Sequence, residues 1–135
     1  MNTLPVQEPW FGLIAAGDKS VEGRPCPKER WENKIGQKVW VVRDGPETAA
    51  KVLVVLVAVR WYPNLEEYLA AEWMRTAPQA KTLGDAQRIY LKIMMISRGE
   101  KRDGAPEGHE VQVFGPERVA LRGGITALEI RLVPE

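Results

Sequence analysis

The chain has 135 residues, is 44% hydrophobic and 27% charged, and carries a formal net charge of +1. Its length and ordinary globular composition suit one domain whose core needs no metal or disulfide staple. Near-neutrality excludes polyanion binding driven by the charge of the whole protein, so any nucleic-acid surface must be a local patch.

Met1 to Glu8 has neither a basic start nor an apolar core, and no secretory signal is expected there. The longest apolar run, Val52 to Val59, is too short to cross a bilayer. An intracellular, cytoplasmic location without a membrane partner is therefore expected. Thr3 to Val6 reads as a first strand. Pro9 suits the first turn of a helix, where its missing N–H costs nothing. Trp10, Leu13 and Ile14 then recur at helical spacing, which predicts a short helix from Glu8 to Ala16 closed by Gly17 in the left-handed conformation.

Lys19 to Arg24 reads as a strand. Alternation puts Ser20, Glu22 and Arg24 on one face and Lys19, Val21 and Gly23 on the other, with Lys19 at the helix–strand junction. Pro25 to Lys34 reads as a loop with an exposed Trp31 and a loop thiol, Cys26; as the only cysteine it excludes an intrachain disulfide and favours a reducing compartment. Ile35 to Lys38 turns into a strand at Val39 to Val42, and Asp44-Gly45-Pro46 is a turn. Lys51 to Trp61 is β-branched and apolar on both faces, the signature of a central strand.

Asn64 followed by Glu67, and Thr82 followed by Asp85, are helix starts. They predict a short helix marked by Leu65, Tyr68, Leu69 and Glu72, and a second from Thr82 to Met95. Ser97 to Arg122 is rich in glycine and proline, and its charges cancel. It reads as a mobile loop with a small hairpin, Glu110 to Phe114 and Val119 to Leu121, around Gly115-Pro116. Ile125 to Val133 is an alternating final strand. The order of elements predicts an α+β domain over residues 1–135 with a mostly antiparallel sheet, closed or nearly closed.

Several of these segments together resemble the ASCH family of the PUA-like β-barrel superfamily. The pattern G-x-K-x-x-E-x-R stands here as Gly17, Lys19, Glu22 and Arg24, after a helix holding Trp10, Leu13 and Ile14. Lys34 to Val39 is similar to the family's K-x-G-D-x-V turn, and Val57 to Tyr62 with Asn64 to Leu69 continue the likeness. Ala77 to Ala80, Ala86 and Ile89-Tyr90 resemble the helical insert of small archaeal-type members, and Thr126 to Ile130 their last strand. The resemblance implies a small, mixed, mostly antiparallel PUA-like β-barrel with one N-terminal helix and a two-helix insert before the last strand. It also implies a cleft walled by the motif, where members are thought to bind RNA, coregulator-type partners or modified nucleosides.

Two kinds of chemistry follow. In the first, an RNA- or nucleotide-like ligand meets Gly17, Lys19, Glu22 and Arg24, with Trp10, Trp31 or Tyr62 as candidate stacking rings. Arg24 grips oxygens with its fork, and Glu22 accepts from a base edge or fixes Arg24. On spacing alone, Glu22 and Arg24 are simply a surface ion pair. In the second, Lys19 and Glu22 are catalytic. One bacterial branch of the family hydrolyses acylated cytidine with a lysine, a threonine and a glutamate; Lys19 matches the lysine, but Glu22 stands where that threonine belongs, which counts against the same reaction. RNA cleavage is a further possibility implied by the family. No cofactor is expected, and His109, near only Glu107 and Glu110, does not make a metal site. Residues 97–122 are a candidate protein-binding loop.

Overall fold

The computed structural model describes residues 2–44, 50–92, 94–95 and 110–134. Five strands form one curled sheet: β1 (Asn2–Val6), β2 (Val21–Pro25), β3 (Lys38–Arg43), β4 (Lys51–Tyr62) and β7 (Ile125–Leu132), in the order β1-β3-β4-β7-β2. Only β1 and β3 run parallel; the other pairs are antiparallel. The predicted central strand is central: β4 carries β3 on one side and β7 on the other. Its register slips between Leu56 and Ala58, and this bulge bends a strand of 12 residues enough to curl the sheet.

The curl brings the two edges, β1 and β2, towards each other. Pro5 sits on an edge strand, where a missing N–H is tolerated. The Arg24 guanidinium on β2 donates to the Pro5 carbonyl on β1, so a side chain bridges the seam.

Two cores lie on the two faces of this sheet. The inner one joins Leu4, Val6, Val39, Val41, Val54, Leu56, Leu128 and Ile130 to Phe11 and Ile14 of α1 (Trp10–Ala15). The outer one packs Val21, Ile125 and Ala127 against α3 (Leu65–Thr76), α4 (Leu83–Tyr90) and α5 (Pro116–Leu121). Burying one such aliphatic side chain stabilises by about 1.5–3 kcal/mol, so both faces of β7 matter to the fold. Asn64 and Thr82 cap α3 and α4 as expected, accepting from the backbone N–H groups of Glu67 and Asp85.

Some expectations are corrected. Pro25 to Lys34 contains a short helix, α2 (Glu29–Glu32), which turns Trp31 inward to 8% exposure and lays the Lys34 ammonium over its ring at 4.8 Å. Cys26 is buried at 3% exposure in the inner core, and desolvation pushes its thiol up. The second inserted helix stops at Tyr90, not Met95. Met94–Met95 is instead a strand, β5, paired with β6 (Glu110–Val111). Gly115-Pro116 opens no hairpin: Gly115 is an N-cap and Pro116 starts α5, the use of proline that favours a first helical turn. Gly45, Pro46, Ile93 and residues 97–109, with Gly99, Gly104, Pro106, Glu107, Gly108 and His109, lie outside the described residues. Among the described residues no helix is long and apolar enough to cross a membrane, and no group of three metal-ligating side chains comes together.

Candidate functional site

The motif begins with backbone geometry. Gly17 has φ +82°, and the turn it makes sends two N–H groups, those of Asp18 and Lys19, onto the Leu13 carbonyl, while its own N–H returns to Ile14. This left-handed closure of α1 is what glycine permits. Gly17 therefore aims the chain; its contribution is to deliver Lys19 inward.

Lys19 goes to the C-terminus of α3. Its Nζ donates to the Thr76 carbonyl at 2.6 Å, to the Val21 carbonyl at 2.6 Å and to Thr76 Oγ1 at 3.0 Å, and lies 3.3 Å from Glu22 Oε1. The last carbonyls of a helix lack intrahelical partners and carry its negative dipole end, so an ammonium is well placed there. Ser20 completes the same cap by donating its N–H to the Arg75 carbonyl. The Lys19 side chain has no exposed surface. Burial lowers its pKa to about 8, against the pull of Glu22 in the other direction.

Glu22 is shared. Its second oxygen lies 3.3 Å from Arg24 Nε, and each of these two residues is 9% exposed. Alternation holds as expected: Glu22 pairs in register with Leu128 and Arg24 with Thr126, on the inner face of the sheet. The expectation of a surface ion pair does not hold, because the row is buried.

Beside Lys19 the structure adds three hydroxyls that periodicity had marked only as helix face or left unremarked. Tyr68 Oη hydrogen-bonds to Thr76 Oγ1, and Tyr90 Oη lies 2.6 Å from it. Desolvation pushes both phenols well up, so they are neutral donors at ordinary pH. Gly23 makes room for Tyr68: a Cβ there would stand 2.5 Å from the tyrosine Oη and 2.6 Å from its Cζ. Thr76 is separated from Lys19 by 57 residues, and no local pattern in the sequence signals their meeting.

None of the three predicted stacking rings is free for that purpose in this arrangement, and Trp31 is buried beneath Lys34. Trp10 is half-buried between the two cores, 5.2 Å from the Tyr90 ring centroid, with Lys19 Nζ 5.0 Å from its own. Tyr62 donates its hydroxyl to Glu72 Oε2 at 2.6 Å. It belongs to a second charge cluster on the outer face that sequence reasoning did not find. There Arg60 grips Glu72 with two donors at 2.5 and 3.0 Å, Arg75 reaches Glu72 at 2.7 Å, and Glu129 binds Arg60 and Arg75 at 2.8 and 3.2 Å. Burial raises the Glu72 pKa, but the bonds from Arg60 and Tyr62 outweigh it and hold the carboxyl below its usual value. The spacing of Glu72 and Arg75 along α3 is the one signal that was available.

Fold and site together define a small α+β domain: a curled, mostly antiparallel sheet whose seam is bridged from a buried Lys-Glu-Arg row. The sequence profile of the ASCH domain matches residues 4–116. The chain belongs to the ASCH domain family, a PUA-like fold often linked to RNA binding. Its fold is similar to the crystal structure of hypothetical protein PH0355, with a TM-score of 0.65 and 23% identity over 97% of each chain. It is also similar to the solution structure of protein PF0455 from Pyrococcus furiosus, with a TM-score of 0.56 and 21% identity over 99% of this chain and 98% of that one. A search of curated proteins finds no match.

Proposed function

We propose that the protein binds RNA or a nucleotide-like ligand at the motif edge of the sheet. The observation that carries this reading is the sharing of Glu22 by Lys19 and Arg24. Within the row there is one more positive than negative charge, held where screening by water is weak. Such a field favours a phosphate or carboxylate oxygen. Lys19 spends its donors on Val21 and Thr76, so its part is to set the field and hold Glu22. Arg24, at the β1–β2 seam, is the residue nearer a ligand, and its planar fork suits phosphate.

The test is fluorescence anisotropy of a labelled single-stranded RNA with the wild-type protein and Arg24→Lys, which keeps the charge but loses the fork. Binding should fall only shallowly with salt, as one or two phosphate contacts require, and the variant should bind about tenfold more weakly, the loss of one good charge-assisted contact. Equal affinity of the variant and wild type sinks the reading.

One observation favours hydrolysis of a modified nucleoside as the second reading. The hydroxyl that Glu22 seemed to displace is supplied by Thr76, 3.0 Å from Lys19 Nζ. A lysine, a threonine and a glutamate are thus in contact, and an amine with a pKa of about 8 is able to exchange protons near neutrality. Turnover of an acylated cytidine that vanishes in Lys19→Met supports it; no turnover above that variant removes it.

A further inference from the structure

The charge row leaves Trp61 unused. Trp61 is 44% exposed, and single exposed apolar residues are ordinary. This one, however, is fixed in place. Its indole N–H donates to the Gly123 carbonyl at 2.8 Å. The ring lies so close to the next residue that a Cβ on Gly124 would come within 2.4 Å of Nε1, 2.6 Å of Cε2 and 2.7 Å of Cζ2. Gly123 and Gly124 have φ of +86° and +99°, a backbone that side-chain-bearing residues rarely adopt. The turn between α5 and β7 is thus shaped to receive the indole.

The remaining surface of Trp61 lines a cleft of about 330 Å³ with Pro27, Lys28, Glu29 and Gly123. That volume is at the lower end of small-molecule sites, suited to a single nucleotide. The charged side chains among its described lining residues are Lys28 and Glu29. Among the described residues Lys28 is tied to Glu32, at 3.5 Å and with both side chains nearly half exposed, a weak pair that a phosphate displaces readily. The cleft is also connected to the motif through the sheet. Arg24 pairs with Thr126, and Thr126 with Trp61. Residues paired across strands share a face, so Arg24 and Trp61 stand on the same face two strands apart, about 10 Å.

We infer that the Trp61 cleft is a nucleobase subsite for single-stranded RNA. The base stacks on the indole, Glu29 accepts from an amino or imino N–H of the base edge, and Lys28 meets the adjoining phosphate. The inference rests on the RNA-binding reading and adds to it a place and a base contact.

Two measurements on the full chain test it. In the first, the Trp61 indole N–H resonance, assigned by its loss in Trp61→Phe, is followed while adenosine 5′-monophosphate or ribose 5-phosphate is added. The nucleotide should shift it saturably and the sugar phosphate should not. Equal shifts from both, or none from the adenosine, cytidine or guanosine monophosphates, overturn the subsite. In the second, a fluorescein-labelled oligoadenylate should bind Trp61→Leu about tenfold more weakly than wild type, with Trp61→Phe recovering most of the loss. If Arg24→Lys weakens binding and Trp61→Leu does not, the subsite falls and the motif reading stands. Loss in Trp61→Leu with none in Arg24→Lys keeps the subsite and removes the motif contact. A wild-type protein that binds neither the oligomer nor any mononucleotide sinks both.

Discussion

Two charge clusters stand on opposite faces of the same sheet, and they solve the problem of a charge near a core in different ways. In Lys19–Glu22–Arg24 one carboxylate serves two cations, and the lysine side chain has no exposed surface. In Arg60–Glu72–Arg75–Glu129 two carboxylates face two guanidiniums, and only the Glu72 side chain is fully buried; Arg60, Arg75 and Glu129 are 33%, 46% and 28% exposed. The second cluster is balanced and wet at its rim, as a brace between α3, β4 and β7 should be. The first is unbalanced and dry, which is costly for a structural pair and useful for a site. The difference is therefore one of access to water as much as of charge.

The sharpest way to break this comparison is to make one change in both clusters. Glu22→Gln leaves Lys19 without its carboxylate and without a path to water, and should cost about 3–5 kcal/mol. Glu72→Gln leaves guanidiniums that turn outward and rehydrate, and should cost about 1–3 kcal/mol. Urea denaturation followed by tryptophan fluorescence compares them, and a larger loss in Glu72→Gln reverses the assignment.

Both clusters should weaken as pH falls, but in different windows of the pH scale. The pKa of Lys19 is about 8 in the folded protein and 10.5 ordinarily. Between these values the unfolded chain holds more protons, so stability rises with pH through this window; the gain is complete above 10.5 and is lost as pH falls through 8. Relative to Lys19→Met, in which Tyr68 and Tyr90 titrate as before, the gain should be on the order of 3 kcal/mol. The pKa of Glu72 is depressed, so its contribution is present above the ordinary value of 4.5 and is lost as pH falls below it. Denaturation midpoints of wild type and Lys19→Met at pH 7 and pH 10 decide the first point, and a difference that does not change with pH contradicts a desolvated lysine.

Smaller changes sharpen the picture. Thr76→Val removes an acceptor from Lys19 and a partner from both tyrosines, for about 1–3 kcal/mol. Arg75→Ala removes a half-exposed arm of the outer cluster and should cost less than about 1 kcal/mol. Thermal denaturation checks both; a larger loss in Arg75→Ala means the outer cluster is drier than its exposure indicates.

Much of the fold was legible because it is local. Asn64 and Thr82 cap their helices through contacts three residues away, and Gly17 closes α1 with a turn that needs φ above zero. Strand alternation put Glu22 beside Arg24. The site was legible only as far as its contiguous motif. Thr76 meets Lys19, and Tyr90 meets Thr76, through a helix pair folded back on β2, while the Tyr62 hydroxyl is taken by Glu72. Trp31 read as exposed because its neighbours are charged, yet a four-residue helix turns it in. Gly115-Pro116 fits both a turn and a helix start, and the outer core chose by burying Val119.

By itself, then, the sequence determined the caps, the five strands of the main sheet and the row Lys19, Glu22, Arg24, because these depend on spacings of a few residues. The tertiary structure alone decided that the row is buried, that its lysine caps α3 through Thr76, that Arg24 bridges the seam to Pro5, and that Trp61 is held by a pair of glycines. Those are contacts between segments far apart in the chain, set by how the sheet curls and what packs on each face.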